Sequence, residues 1–222
     1  MDWPLERLTG SAEELHHRAL PARRGLWVCT PDRPAVVLGS SQPESDVDAE
    51  TCRSLGIDVV RRRSGGGAVY VHPTESLWVD VVIPRGDALW RDDIGESMWW
   101  LGEAWQAALI GAGISETRVH RGAMISSDWS KTLCFAGVGP GEVLHVAPGA
   151  TDSGGRTSKV VGISQRRNRE MARFQCVMYR RWDVALHSRM LPALAGDLDR
   201  ISACAWAPAE LGDLVLLGQH IS

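Results

Sequence analysis

No apolar run in this 222-residue chain approaches the roughly 18 residues that a membrane span requires. The opening "MDWPLERLTGSAEELHHRAL" also lacks the apolar centre of a secretion signal. A cytoplasmic protein without membrane contact is the expectation. A cationic excess is missing too: the net charge of −3 and pI near 6.2 exclude a nucleic-acid binder that works through a broad basic field. A local arginine patch can still dock an acidic carrier. Cys29, Cys52, Cys134, Cys176 and Cys204 are scattered without a CxxC pair, so neither a zinc site nor a disulfide framework is indicated, and any metal ligands are unknown. Lysine is scarce. Of 24 Lys and Arg residues only Lys131 and Lys159 are lysine, so each is a candidate for a role that needs a compact ammonium. Internal repeats and low-complexity segments are absent from the sequence.

What is present fits one domain over residues 1–222, with 44% hydrophobic and 23% charged residues. Ser11 with Glu14 predicts a capped helix in "SAEELHHRAL". "LWVCT" and "AVVLG" read as strands around the turn "PDRP", and "DVDAETCRSLG" as a short helix ended by Gly56. "IDVVRRR" and "SLWVDVVIP" follow as strands, the second with Leu77, Val79, Val81 and Ile83 on one face. Asp93 and Glu96 predict the start of a helix carrying Ile94, Met98, Leu101, Trp105 and Leu109 as its apolar stripe, with Trp99, Trp100 and Trp105 as packing residues. Strands are predicted in "KTLCFAGV", "EVLHVA", "SKVVGIS" and "ARFQCVMY", a polar loop in "PGATDSGGRT", and a last helix in "DVALHSRML".

Between two strands stands "RRRSGGGAV", residues 61–69. Three successive glycines point to backbone that must bend or be approached closely. Known phosphate motifs do not account for them. "GATDSGGRT" nearly fits a P-loop, but Gly155 stands where the lysine belongs, and "GVGPG" has Pro140 where a helix would begin.

Taken with "VVLGSSQ" (36–42) and "SKVVGISQRR" (158–167), the glycine segment resembles the lipoate–protein ligase family of the biotin and lipoate protein ligase superfamily. All three segments occur in family order. The resemblance implies an α+β fold with a largely antiparallel or mixed central sheet flanked by helices, related to class II synthetases. Residues after 182 are too few for the accessory C-terminal domain of the longest ligases. The sequence departs from the family in two places: Val71 intervenes before His72, and Gln175 with Cys176 stands where relatives carry a His-Gly pair.

The resemblance implies that Arg62 and Ser64 flank an α-phosphate and a carboxylate, and that Gly65, Gly66 and Gly67 let the backbone approach the acyl chain and nucleotide. Tyr70, His72, Gly162 and Ser164 complete the implied binding set, and Lys159 is the implied catalytic cation. The first expectation is ATP-dependent ligation, with Mg²⁺ on the phosphates: lipoate or an octanoate-like acid becomes an acyl-AMP, and a lysine of a lipoyl-domain or H-protein-type acceptor takes the acyl group. The second is octanoyl or lipoyl transfer without ATP, through Cys134 in "LCFAG". A third is a noncatalytic protein that holds the acyl ligand. The acid itself, biotin included, is left open by the sequence.

Overall fold

The structure, a computed structural model, describes residues 3–147 and 157–208. Most of the polar loop "PGATDSGGRT" lies outside the described residues. The chain opens with β1 (Leu5–Gly10), α1 (Ala12–His17), β2 (Gly25–Pro31), β3 (Ala35–Leu38), α2 (Ala49–Ser54) and β4 (Asp58–Arg61). After the glycine loop come β5 (Val69–Val71), β6 (Ser76–Pro84), α3 (Trp99–Gly111), β7 (Thr117–Val119) and β8 (Val143–Val146). Strands β9 (Thr157–Arg167) and β10 (Met171–Tyr179) form a long hairpin, followed by α4 (Val184–Met190) and α5 (Leu198–Ser202).

Seven strands make one mixed sheet in the order β1-β2-β6-β10-β9-β8-β7, and β4-β3-β5 make a second, smaller one. The α+β class and mixed sheet expected from the sequence are therefore present. Only β1 with β2 pairs in parallel in the large sheet, an edge strand that local patterning did not signal. Strand β6 is buried on both faces. Leu77, Val79, Val81 and Ile83 pack toward α3, while Trp78 and Val82 pack toward α1 and the small sheet. On α3, Leu101, Trp105 and Leu109 are fully buried, each side chain contributing roughly 1.5–3 kcal/mol.

Several local expectations hold in detail. Ser11 and Glu14 form a reciprocal capping box on α1, and Asp48 caps α2 before Gly56 turns at φ +68. Two are corrected. Asp93 does accept from the Glu96 N–H at 2.8 Å, but the chain first makes a 3₁₀ turn over Glu96–Met98, α3 begins at Trp99, and Ile94 is exposed. The run "KTLCFAGV" is not a strand. It forms a 3₁₀ turn at Cys134–Ala136 because its backbone bonds are taken from two sides, as described below.

The glycine loop is approached by the protein's own chain. Gly66 has φ +98, a region L side chains rarely enter, and its carbonyl lies against Gly39 so closely that a Cβ there would meet it at 1.9 Å. A Cβ on Gly67 would lie 2.6 Å from the Leu133 nitrogen and 2.8 Å from the Ser130 oxygen, whereas around Gly65 the space is open. Gly67→Ala is therefore expected to lower stability by about 1–3 kcal/mol in chemical denaturation, with Gly65→Ala within about 0.5 kcal/mol of the parent. Equal effects would show that the Gly67–Leu133 approach is not a structural constraint.

Candidate active site

The three segments singled out in the sequence meet at Cys134. The Cys134 N–H donates to the Ala68 carbonyl at 3.0 Å, and the Ala68 N–H donates to Thr132 at 2.9 Å, so the end of the glycine loop grips the turn. Gln42, from "VVLGSSQ", donates to the Thr132 carbonyl at 3.0 Å and accepts from the Gly39 N–H at 3.2 Å. From the other side Lys159 Nζ donates to the Cys134 carbonyl at 2.8 Å. The cysteine is thus fixed by segments far apart in sequence, with its thiol free and partly exposed.

Lys159 is almost fully buried and pairs with Glu142 at 2.7 Å, with the Phe135 ring 5.2 Å away. Glu142 in turn accepts from the backbone N–H groups of Gly139 at 2.6 Å and Ile163 at 3.1 Å. Sequence reasoning missed Glu142, whose setting in "GEVLHV" carries no local signal. A buried charge needs its partner, and this partner leaves the ammonium balanced and turned onto the cysteine turn.

Between the two sheets lies a narrow slot. Cys134, Phe135, Gly162 and Ser164 line one part of it, and Val69, Val71, Trp78 and Val177 supply apolar wall. His16, Arg62 and Gln175 also line it. Its volume is about 20 Å³, room for one water. Lys159 does not line this slot; it borders a separate cleft with Trp129 and Cys204 on the far side of Phe135.

The candidate residues named from the sequence divide accordingly. Arg62, Gly162, Ser164 and Cys134 are brought together at the slot. Ser64 stands beside it, 3.4 Å from the Ser164 hydroxyl. Arg62 spends its Nη2 on the Gly65 and Gly67 carbonyls, at 2.8 and 2.9 Å, and so shapes the loop as well as lining the slot. Tyr70 and His72 do not face it. Strand alternation sends Val69 and Val71 inward and turns Tyr70 to the opposite face, 5.6 Å from His187. His72 instead accepts the Thr74 and Glu75 N–H groups, each at 3.1 Å, as a turn cap.

The histidine that does reach the slot is His16, from the end of α1. It stacks on Trp78 with ring centroids 4.2 Å apart, and burial together with the charges of Arg62 and Arg173 lowers its pKa to about 3. Arg173 places it. Paired with buried Asp80, this guanidinium also donates to the carbonyls of Leu15 (2.8 Å), His16 (3.2 Å) and Arg18 (3.0 Å), closing the C-terminus of α1 onto the large sheet.

In this structure the ammonium of Lys159, the implied catalytic cation, is paired with Glu142 and so presents no unbalanced charge to a nucleotide phosphate.

Residues 11–214 match the family described as the lipoyl protein ligase A/B catalytic domain, and the chain belongs to that family. Octanoyltransferase LipM of Clostridioides difficile (strain 630) is 32% identical over 92 residues, 41% of this chain and 33% of that protein. The chain thus matches about a third of the length of that curated relative. A solved bi-partite lipoate protein ligase from Thermoplasma acidophilum, described with its E2 lipoyl domain, superposes with a TM-score of 0.69 at 17% identity, over 100% of this chain and 81% of that one. A lipoate-protein ligase A bound with ATP gives 0.62 at 17%, over 100% and 94%. These two likenesses establish the shared fold.

Two expectations follow. Lys159→Met should cost about 3–5 kcal/mol by leaving Glu142 buried without its partner, and adding Glu142→Gln should restore a substantial part; additive losses in the double-mutant cycle would mean that the pair is not coupled. The second concerns acid. His16 and His187 have folded pKa values lowered, mainly by burial, to about 3 and about 4, below the unfolded value near 6.5. The unfolded chain therefore takes up protons first, and stability falls as pH drops below about 6.5, by roughly 1 kcal/mol per pH unit for each group. His187→Asn should flatten that slope in melting curves between pH 7 and pH 5, and an unchanged slope would remove His187 from the explanation.

Proposed function

We propose that this protein is an acyltransferase that moves an octanoyl or similar medium-chain acyl group through Cys134 to a lysine of a lipoyl-type carrier domain. The observation that carries this reading is the placement of the Cys134 turn: clamped from both sides, at an apolar slot, beside Arg62 and Ser164. The likeness to an octanoyltransferase and to a ligase described with its lipoyl domain supports the substrate class.

In the first step the Cys134 sulfur bonds to the carbonyl carbon of an acyl thioester, the thioester C–S bond breaks, and the thiol proton leaves with the departing thiol. In the second, the carrier lysine's uncharged amine attacks the acyl-Cys134 carbonyl; an amide forms, the C–S bond breaks, and a proton returns to Cys134. Lys159 acts as a positioning residue, holding the Cys134 carbonyl and hence the turn. The donor is met by a basic cleft with Arg18, Arg63, Arg166 and Arg167, each within three residues in sequence of slot residues His16, Arg62 or Ser164. This is the arginine patch suited to an acidic or phosphate-bearing carrier.

The test is intact-mass spectrometry after mixing the protein with an octanoyl thioester in the absence of ATP. A mass gain of one octanoyl group is expected, lost in Cys134→Ser together with transfer to a lipoyl domain. Amide formation that requires ATP, with pyrophosphate release and full activity in Cys134→Ser, would overturn the reading in favour of ligation. Ligand binding with no transfer to any carrier would make the protein a binder.

A further inference from the structure

Two buried N–H-bearing atoms of slot-lining side chains, His16 Nε2 and Arg62 Nε, have no hydrogen-bond partner among the described residues. Leaving such donors unmatched costs about 1–3 kcal/mol each, which is unusual unless a ligand completes them. The state of the imidazole follows from its neighbours. The amide nitrogen of Gln175 lies 3.1 Å from His16 Nδ1, and since an amide nitrogen only donates, Nδ1 is the acceptor of that contact and the ring proton resides on Nε2. The charged groups acting on His16 are Arg62 from the glycine loop, Arg173 from β10 and His17 from its own element, and all disfavour an imidazolium. The ring is a neutral donor, not a base.

We propose that His16 Nε2–H and Arg62 Nε–H together form the binding site for the acyl carbonyl oxygen, and that His16 is a catalytic residue which hydrogen-bonds that oxygen as negative charge develops on it. The assignment rests on the acyl-transfer reading above. A neutral imidazole held by the Gln175 amide donates without having to lose its own proton, and its orientation is set before the substrate arrives. Gln175 is then a positioning residue, acting on the acyl group only through His16. Val71, which occupies the inward position on β5, gives the site no polar group of its own.

Two variants separate donation from packing. His16→Phe keeps a ring against Trp78 and removes the N–H; His16→Gln retains an N–H near the Nε2 position. With S-octanoyl-N-acetylcysteamine as donor, His16→Phe should lower kcat/KM for loading of Cys134 by about 10²–10³-fold, and His16→Gln should recover at least a tenth of the parent value. Loading by His16→Phe within three-fold of the parent would overturn the proposal. A second measurement does not depend on chemistry at Cys134. Octanamide carries the same carbonyl without a leaving thiol, and its affinity, read by calorimetry, should fall at least ten-fold in His16→Phe. The ¹⁵N spectrum of the parent should show a protonated Nε2 from pH 5 to pH 8 that shifts when octanamide binds. If the parent binds octanamide in this way yet never acquires an octanoyl group, the transfer reading fails and the carbonyl site stands. Equal affinities in parent and His16→Phe, no binding of octanamide, or a proton on Nδ1 would each overturn the site.

Discussion

The buried pair between Lys159 and Glu142 is the interaction on which the arrangement of the site depends. Neither charge could remain in this interior alone: desolvating an isolated ion costs several kcal/mol even after relaxation, and only mutual attraction together with further hydrogen bonds offsets it. Here those further bonds are structural. Glu142 receives the N–H groups of Gly139 and Ile163, and Lys159 donates to the carbonyl of Cys134, so one pair ties β8, β9 and the cysteine turn together. Substituting an apolar pair would satisfy the interior but leave the Cys134 carbonyl without its lysine donor.

A second buried pair does the same for the opposite wall. Asp80 on β6 and Arg173 on β10 pair diagonally across neighbouring strands, and the guanidinium has donors left over for the terminal carbonyls of α1. A six-residue helix has little stability of its own, because nucleation is unfavourable and few intrahelical bonds repay it. Its capping box at one end and Arg173 at the other hold it, and with it His16, against Trp78. The slot is thus built from loop, turn, helix end and four strands whose relative positions are set by two ion pairs and by the close backbone approaches at Gly39, Gly66 and Gly67.

Much of the fold was legible because it was written in short-range patterns. The caps at Ser11 and Asp48, the alternation in β6 and the apolar stripe from Met98 to Leu109 all follow from interactions within a few residues of sequence. The strand readings that failed are those in which distant chain decides. "KTLCFAGV" has strand composition, yet Ala68 on one side and Lys159 on the other take its backbone groups and coil it into a turn. Strand β1 is too polar to announce itself; it exists because the edge of β2 offers it parallel partners.

The same division runs through the site. The sequence by itself determined the family resemblance and the three segments that carry it, since these rest on residue type and order along the chain, and it singled out the glycine loop, Lys159 and Cys134 as candidates. Only the tertiary structure decided which way each side chain faces and what it meets. Val71 rather than Tyr70 or His72 points into the slot because a strand alternates about an axis that the sheet sets. Glu142 and His16 join the site from segments with no sequence signal, because burial creates a demand for opposite charge and for donors that can be met by any part of the chain that happens to fold alongside.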